Sequence, residues 1–360
     1  MAVIKKLSLT HFRNFQQISI DLSSGFNIVY GHNGSGKTSL LESIYLLGLG
    51  RSFRTHKLNR LIQQGCDQLV VFADIASLDT SHTISIEKSQ HGNRQYHLDA
   101  QEPHSVSEIA SLLPLQFIST FSYQYFMEGP DIRRRFMDWG LFHVKRKAFF
   151  PHWQRYCRAL KQRNNALKQR VSRQEIAIWD AELVSSGELL HAQRKDYVQA
   201  YCVEFARMLQ RLLPQYELTL RYQKGWASGR TLEQALSENY SNDLRLGYTS
   251  NGVHRADLQL YVGEIPVDDV LSQGQLKIAA YALYLSQGMH VSKVSDNSVS
   301  YLIDDLPSEL DPIRRSELAN VLLDLQGQVF VTGISECDVE ELECLPDARY
   351  IDLDAKTNIV

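Results

Sequence analysis

The octapeptide GHNGSGKT at residues 31–38 places three glycines, a lysine and a threonine at the spacing G-x-x-x-x-G-K-[ST]. Gly31, Gly34 and Gly36 let the backbone curl close to a polyanion, so that the peptide N–H groups of the loop, through His32, Asn33 and Ser35, meet negative charge together with the N-terminus of a following helix. Lys37 would then reach the β- and γ-phosphates of a nucleoside triphosphate, and the Thr38 hydroxyl is placed to ligate Mg²⁺. Two acids close LIDD at residues 302–305: Asp304 suits a Mg²⁺ shell, and Asp305 is placed to orient or deprotonate an attacking water. In LSQGQ at residues 271–275, Ser272 and Gly274 stand where a helix would open, another position at which backbone amides take an anion. Each feature has a plainer reading: a glycine turn with a solvated lysine, a solvated acidic turn, and a serine N-cap.

These residues need elements to position them. Phe26, Ile28, Val29 and Tyr30 read as a strand entering the loop, and Ser39, Leu40, Leu41, Ile44, Leu46 and Leu47 as the helix leaving it. A short apolar strand at 299–303 ends in the two acids, SELD follows at 308–311, and QVFVT at 328–332 reads as the next buried strand. That pattern predicts an α/β sheet with nucleotide at its carboxyl edge. Alternation predicts half-buried strands at 70–76 and 83–88, and LSQGQ precedes a helix at 276–285. Pro151 and Pro214 bracket 62 residues without proline and with one glycine, Gly187, which predicts an antiparallel helical pair. Its seam is expected along Trp153, Cys157, Leu160, Leu167 and Val171, and on the return along Tyr201, Phe205, Met208 and Leu212.

The three pieces together resemble an ABC-type ATPase head. Leu271 lies 233 positions after Thr38, a gap that resembles neither the short spacing of transport ATPases nor the long coiled-coil insertion of SMC-type proteins. The chain is similar instead to the RecF family, and five separated segments carry the likeness in order. These are LSLTHFRNF at 7–15, GRSFRT at 50–55, EGPDIRRRFMDW at 128–139, LSQGQLK, and LIDDLPSELD with QVFVTG. Departures mark a divergent member: Gln273 replaces the commoner glycine of LSGGQ, Thr120-Phe121 stands where the family carries Pro-Glu, and Glu128-Gly129-Pro130 replaces Gly-Gly-Pro or Gly-Ser-Pro.

The resemblance implies ATP and Mg²⁺ as cofactors and an ATP-dependent homodimer, in which Ser272 and Gly274 of one chain close on the γ-phosphate held by the other. It implies a weak DNA-dependent ATPase that clamps single-stranded or gapped duplex DNA, works with RecR and RecO, helps load RecA and contributes to SOS induction. It also points to Arg13 as a nucleotide contact and to Gln116 as a cation-facing glutamine. A surface arginine and a buried or surface glutamine are the alternatives.

Of the 360 residues 44% are apolar, enough for a large core and two domains, and the net charge is −3. The expected division is an ATPase head from 1–112 and 245–360, with a mostly helical domain at 113–244 inserted into it. Five scattered cysteines without metal-type spacing fit a reduced, cytoplasmic setting. No apolar leader segment and no 18-residue apolar run is present, which excludes a membrane span. A transporter subunit, which would need a membrane partner, fits poorly with the long basic insert. A nucleotide-gated scaffold without hydrolysis remains an alternative, because Asp305 is shorter than the glutamate common in fast ABC ATPases.

An acidic chain meets nucleic acid only through a local patch. Between positions 133 and 173 stand 13 Lys or Arg and one acid, Asp138. Lys145, Arg146, Lys147, Arg155, Arg158 and Arg163 from this segment, with Arg51 and Arg54 from the earlier loop, are the candidates for DNA phosphates. A solvated face or a site for an acidic protein partner is the alternative. The interleaved Phe136, Trp139, Phe142, Phe149, Phe150 and Trp153 read either as core or as stacking platforms for bases.

Overall fold

The computed structural model describes residues 2–77, 80–103, 105–295, 297–305, 312–333 and 347–354. SELD at 308–311, Cys337 and Cys344 lie outside them. Two compact units emerge, one formed by residues 1–122 with 281–360 and the other by residues 123–280.

In the first unit, β1 (Val3–Phe12), β2 (Phe15–Asp21), β4 (Gln68–Ala76), β5 (Ser81–Ser89) and β6 (Arg94–Leu98) form an antiparallel sheet in the order β2-β1-β4-β5-β6. Leu7, Leu9, Leu69, Val71, Ala73, Ile75, Ile84 and Ile86 alternate with exposed or half-buried neighbours and fill one core, as period-two patterning requires. A second sheet is wholly parallel. Its order is β13 (Arg349–Asp352), β3 (Phe26–Tyr30), β12 (Val329–Thr332), β11 (Ser300–Asp304) and β7 (Leu115–Ser119). Its inner strands are near-continuous apolar runs, buried on both faces. An antiparallel and a parallel sheet together give this unit the α/β character expected from the sequence.

Against these strands pack α1 (Lys37–Leu49), which is buried nearly all round, and α2 (Val106–Leu112). The same unit holds α9 (Pro312–Leu323) and the C-terminal part of α8 (Gln273–Val294). The helix expected at 276–285 is thus the middle of a longer one.

In the second unit a short α3 (Gln124–Met127) precedes α4 (Pro130–Gln169) and α5 (Arg173–Leu212). The paired positions 148 with 193 and 163 with 180 show that α4 and α5 run antiparallel. Three elements of the expected arm change. It begins at Pro130, a first-turn proline, and Pro151 lies inside it; the helical dihedrals break instead at Lys145 (φ −135°, ψ 40°). The turn is at 170–172, with Arg170 left-handed (φ 52°) and Ser172 capping α5; Gly187 sits inside α5, where a Cβ would lie 2.6 Å from Leu232 and 3.1 Å from Tyr156. Along the outgoing seam Leu167 is buried as expected and Trp153, Leu160 and Val171 are half-buried, but Cys157 is exposed and the other buried positions are Tyr156, Ala159, Arg163 and Ala166. Tyr201, Phe205, Met208 and Leu212 on the return are buried as expected.

The unit is completed by α6 (Leu232–Glu238), α7 (Tyr240–Leu246) and a small antiparallel sheet of β8 (Leu218–Gln223), β9 (Asp257–Val262) and β10 (Ile265–Pro266). No described helix is long and apolar enough to cross a membrane.

Candidate active site

The buried strand β3 delivers the chain at Tyr30 to a loop turned by Gly31, Gly34 and Gly36, all at positive φ. At Gly36 a second constraint applies. An added Cβ would sit 2.5 Å from the Phe15 ring and 2.7 Å from Asn14 Nδ2, so only hydrogen fits where the loop becomes α1. Asn14 Nδ2 donates to the Ser35 carbonyl (3.0 Å) and ties this end of the loop to the β1–β2 turn. Lys37 Nζ donates back to the carbonyls of Gly31 (2.5 Å) and His32 (3.1 Å).

Parallel pairing sets the acids at the same edge. β11 lies between β12 and β7, with Asp304 in register with Ser119, so both side chains close their strands at the carboxyl edge beside the loop leaving β3. Thr38 Oγ1 lies 3.1 Å from Asp304 Oδ2 and 3.2 Å from Oδ1. Thr332 Oγ1 donates to Asp304 Oδ1 (2.8 Å) and accepts the Asp305 N–H (2.8 Å). That last bond requires Asp305 to adopt φ 58°, a left-handed conformation that aspartate tolerates better than most residues. Burial pushes the Asp304 carboxyl above its ordinary range; the hydroxyls of Thr332 and Thr38 pull it back in part, and the adjacent Asp305 charge adds to the rise. Burial, reinforced by the two acids, also raises the Tyr281 phenol, so that group stays neutral.

A cavity of about 820 Å³ opens at this edge. Arg13, Asn33, Gly34, Gly36, Lys37, Thr38, Arg54, Asp304 and Asp305 line it, so the structure brings together two motifs from opposite ends of the chain. Thr332, Asn14, Arg60, Gln64 and the Ser119–Phe121 segment also line it and were not among the site residues expected from sequence. Thr332 had a legible signal, as the last residue of an apolar strand at a carboxyl edge. Arg60 and Gln64 had none.

Arg13 stands at the cavity with φ 53°, its guanidinium bidentate on Glu42 (2.9 and 2.8 Å) and also donating to the Arg60 carbonyl. Glu42 is fully buried and also accepts from Ser52 Oγ, with Arg54 at 3.7 Å. This carboxylate joins α1, the β1–β2 turn and the GRSFRT segment. Gln116 does not reach the site, which corrects the cation-facing expectation. It is 5% exposed, lies three residues before the end of β7, and donates through Nε2 to Gln287 Oε1 (2.7 Å).

Among the described residues no three His, Cys, Asp or Glu side chains converge as a metal cage. Thr38 and Asp304 instead form a hydroxyl and carboxylate pair, an all-oxygen set of the kind that holds Mg²⁺ jointly with substrate phosphates and water.

Ser272 and Gly274 do not line the cavity. They open α8 on an exposed turn. Ser272 Oγ accepts from the Gln275 N–H (3.4 Å), while Gln275 Oε1 accepts from the Ser272 N–H (2.9 Å), a reciprocal cap. A Cβ on Gly274 would touch nothing within 4 Å.

The basic segment divides by burial. Lys147, Arg155, Arg158, Lys161 and Lys168 are exposed on the face of α4 opposite Tyr156, Ala159 and Leu167, and Lys145 is exposed at the kink. Arg51 and Arg54 are exposed in their loop, and Arg146 lies half-buried over the Phe142 ring (5.3 Å). Arg163 overturns its expectation as a DNA contact. It is fully buried, with Nε on Asp180 (2.5 Å) and one terminal nitrogen on Asp243 (2.7 Å) and Thr249 (2.9 Å). Arg133 is likewise buried against Asp257. Phe136 and Phe149 are core residues, and Phe142, Phe150 and Trp153 pack against one another, at 5.5 and 6.0 Å between successive rings. Phe136 and Phe149 thus take the core alternative, whereas Trp139, Phe142, Phe150 and Trp153 are half-buried.

Comparison with known proteins places this geometry among relatives. The model for the RecF/RecN/SMC N terminal domain matches residues 3–350. The chain is 41% identical over 339 residues to the DNA replication and repair protein RecF of Coxiella burnetii (strain RSA 493 / Nine Mile phase I), covering 94% of this chain and 95% of that one. With the protein of the same name from Vibrio vulnificus (strain CMCP6) it shares 41% over 340 residues, 94% of each chain. Among solved structures it is similar to the recombination mediator protein RecF-ATP in the RecFOR pathway, with TM-score 0.85, 26% identity and 94% of each chain covered. An Smc head bound to the C-winged helix domain of ScpA shares the fold at TM-score 0.59, with 15% identity and 94% and 91% of the two chains covered.

Proposed function

The chain belongs to the RecF family, within the RecF/RecN/SMC group of ABC-type ATP-binding proteins, and from that premise we propose that it is an ATP-gated DNA-binding protein of recombinational repair and replication, with weak DNA-dependent ATPase activity. The observation that carries this reading is the hydrogen bond from Thr38 to Asp304, which joins the phosphate loop to the acid pair across 266 positions at the sheet edge where such folds bind nucleotide. ATP would lie along the loop with Lys37 on its β- and γ-phosphates. Thr38 and Asp304 would hold Mg²⁺, whose charge offsets that of the phosphate oxygens, and Asp305 would orient the attacking water.

The signature turn supports a site shared between two chains. Gly274 has neither a positive φ nor a crowding neighbour among the described residues, so none of them requires glycine there, although glycine costs helix stability. Close approach of a second phosphate loop supplies a reason. ATP would then hold two heads together through Ser272 and Gly274, and hydrolysis would release them, a timer for a clamp on DNA. The exposed basic face of α4, with Arg51 and Arg54, is the proposed contact for DNA phosphates, single-stranded or at a gapped duplex. RecR and RecO as partners, help in loading RecA, a part in SOS induction and a cytoplasmic location follow from the family and from the RecFOR pathway named for its solved relatives. For domains we propose a head of 1–122 and 281–360 around an inserted 123–280, in place of the expected 113–244, because β7 pairs with β11 in the parallel sheet and β9 with β8 in the small one.

Light scattering with and without ATP and a gapped duplex, alongside phosphate release, tests the reading. An ATP-dependent dimer with DNA-stimulated release is expected, and K37M should abolish both. A wild-type monomer under every condition removes the shared site. An ATP-dependent dimer without release would favour the non-catalytic scaffold, for which the short Asp305 side chain speaks.

A further inference from the structure

The peptide group joining Gly31 to His32 is gripped on both edges. On one edge its carbonyl oxygen accepts from Lys37 Nζ (2.5 Å), and on the other its N–H donates to Asp354 Oδ2 (2.7 Å). Asp354 is carried to this point by the sheet. β13 pairs with β3 up to Asp352 opposite Tyr30, the Leu353 N–H extends the ladder to the Tyr30 carbonyl (3.0 Å), and the Asp354 N–H closes on Asp352 Oδ1 (2.8 Å). The other carboxylate oxygen lies 3.2 Å from where a Gly31 Cβ would sit. Gly31 itself is at φ 147°, where glycine leaves rotation of the adjoining peptide at low steric cost.

Bound triphosphate changes only one of the two grips. An ammonium carries three donors, so Lys37 has to divide them between the loop carbonyls and the β- and γ-oxygens, at a peptide that glycine already makes easy to rotate. Asp354, an ionised acceptor, has no donor to share with phosphate. We propose that Asp354 is a positioning residue of the nucleotide site, holding the Gly31–His32 peptide in one orientation so that the amides that follow remain aimed at the phosphates while Lys37 shares its donors with them. The inference rests on the nucleotide reading above. The His32 amide and ring hold the Asp354 carboxyl below its usual range, so the acceptor stays ionised at neutral pH. The His32 ring also touches Asp354 through Nδ1 (2.5 Å) but is 92% exposed, and the backbone bond does not need it.

The experiment measures binding of a non-hydrolysable ATP analogue to full-length D354A, D354N, H32A and wild type. Amide hydrogen exchange over residues 31–36 and thermal melts are followed in parallel. D354A should bind about tenfold more weakly, the loss expected for one charge-assisted hydrogen bond, with faster exchange in the loop and an unchanged melt. D354N, whose side-chain carbonyl still accepts the His32 N–H, should recover most of the affinity, and H32A should lie within about twofold of wild type. Wild-type affinity and exchange in D354A would overturn the proposal, as would an H32A loss equal to that of D354A, which would assign the effect to the ring. If D354A melts early, D354N decides: binding no better than with K37M overturns the positioning role. Failure of wild type itself to bind the analogue would strike the nucleotide reading instead.

Discussion

Thr38 and Asp304 share a hydrogen bond although 266 positions separate them, and the carboxylate that accepts it is one that burial pushes toward its neutral form. A carboxylate proposed to hold a cation is therefore a liability without one. In the free protein D304N should melt at a higher temperature than wild type, because a poorly solvated charge is replaced by a neutral side chain that still accepts from Thr38. With ATP and Mg²⁺ the same variant should lose about 100-fold or more in phosphate release, the scale of removing one preorganised electrostatic group. Calorimetry and a phosphate-release assay read the two arms, and a D304N protein that melts lower would contradict the buried-charge account.

Arg163 and Arg158 are five residues apart in α4 and should behave as opposites. R163M strands Asp243, a fully buried acid, and should cost about 3–5 kcal/mol in denaturant unfolding. R158A removes an exposed side chain and should fall within about 0.5 kcal/mol of wild type. Only R158A, with R155A and K161A, should lower DNA affinity and flatten its salt dependence while leaving the fold intact.

Ser272 carries a cap as well as the proposed trans contact. S272R should lose about 1 kcal/mol of helix-capping stability, too little to unfold the chain, and should still bind the ATP analogue. Dimerisation measured by light scattering should be abolished. An ATP-induced dimer of S272R would end the shared-site model.

Two buried histidines make the second unit sensitive to acid. His254 Nε2 lies 3.0 Å from the Thr249 carbonyl, which can only accept, so Nδ1 accepts from Tyr156 (2.7 Å) and the ring is neutral. Burial lowers His254 from 6.5 to about 4 and His143 from 6.5 to about 3. The unfolded chain therefore takes up these protons first as pH falls. Stability is full above pH 6.5 and is lost below it, by about 1.4 kcal/mol per pH unit for each histidine until its folded value is reached. Melts between pH 7.5 and 5 should show the decline, and H254Q, which can both donate to Thr249 and accept from Tyr156, should flatten it.

The phosphate loop, the strands around it and the two acids were legible in the sequence because their chemistry is set over short covalent distances. Eight consecutive residues make an anion-binding turn, and two-residue alternation makes a half-buried strand, whatever the rest of the chain does. The likeness to the RecF family was legible for the same reason, as short segments in a fixed order. Rotational phase and strand register are different, because partners far away in the chain decide them. Spacing marked Cys157 as seam and Arg163 as surface; the packing of α4 against α5, with its break at Lys145 and close approach at Gly187, turned the buried face onto Tyr156 and Arg163. Gln116 looked available until register placed it three residues short of the sheet edge, facing Gln287. Asp354 reaches the site only because β13 flanks β3, a neighbourhood that no local pattern encodes. Residue type and spacing thus determined what chemistry the chain could perform, and long-range pairing decided which side chains stand close enough to support it.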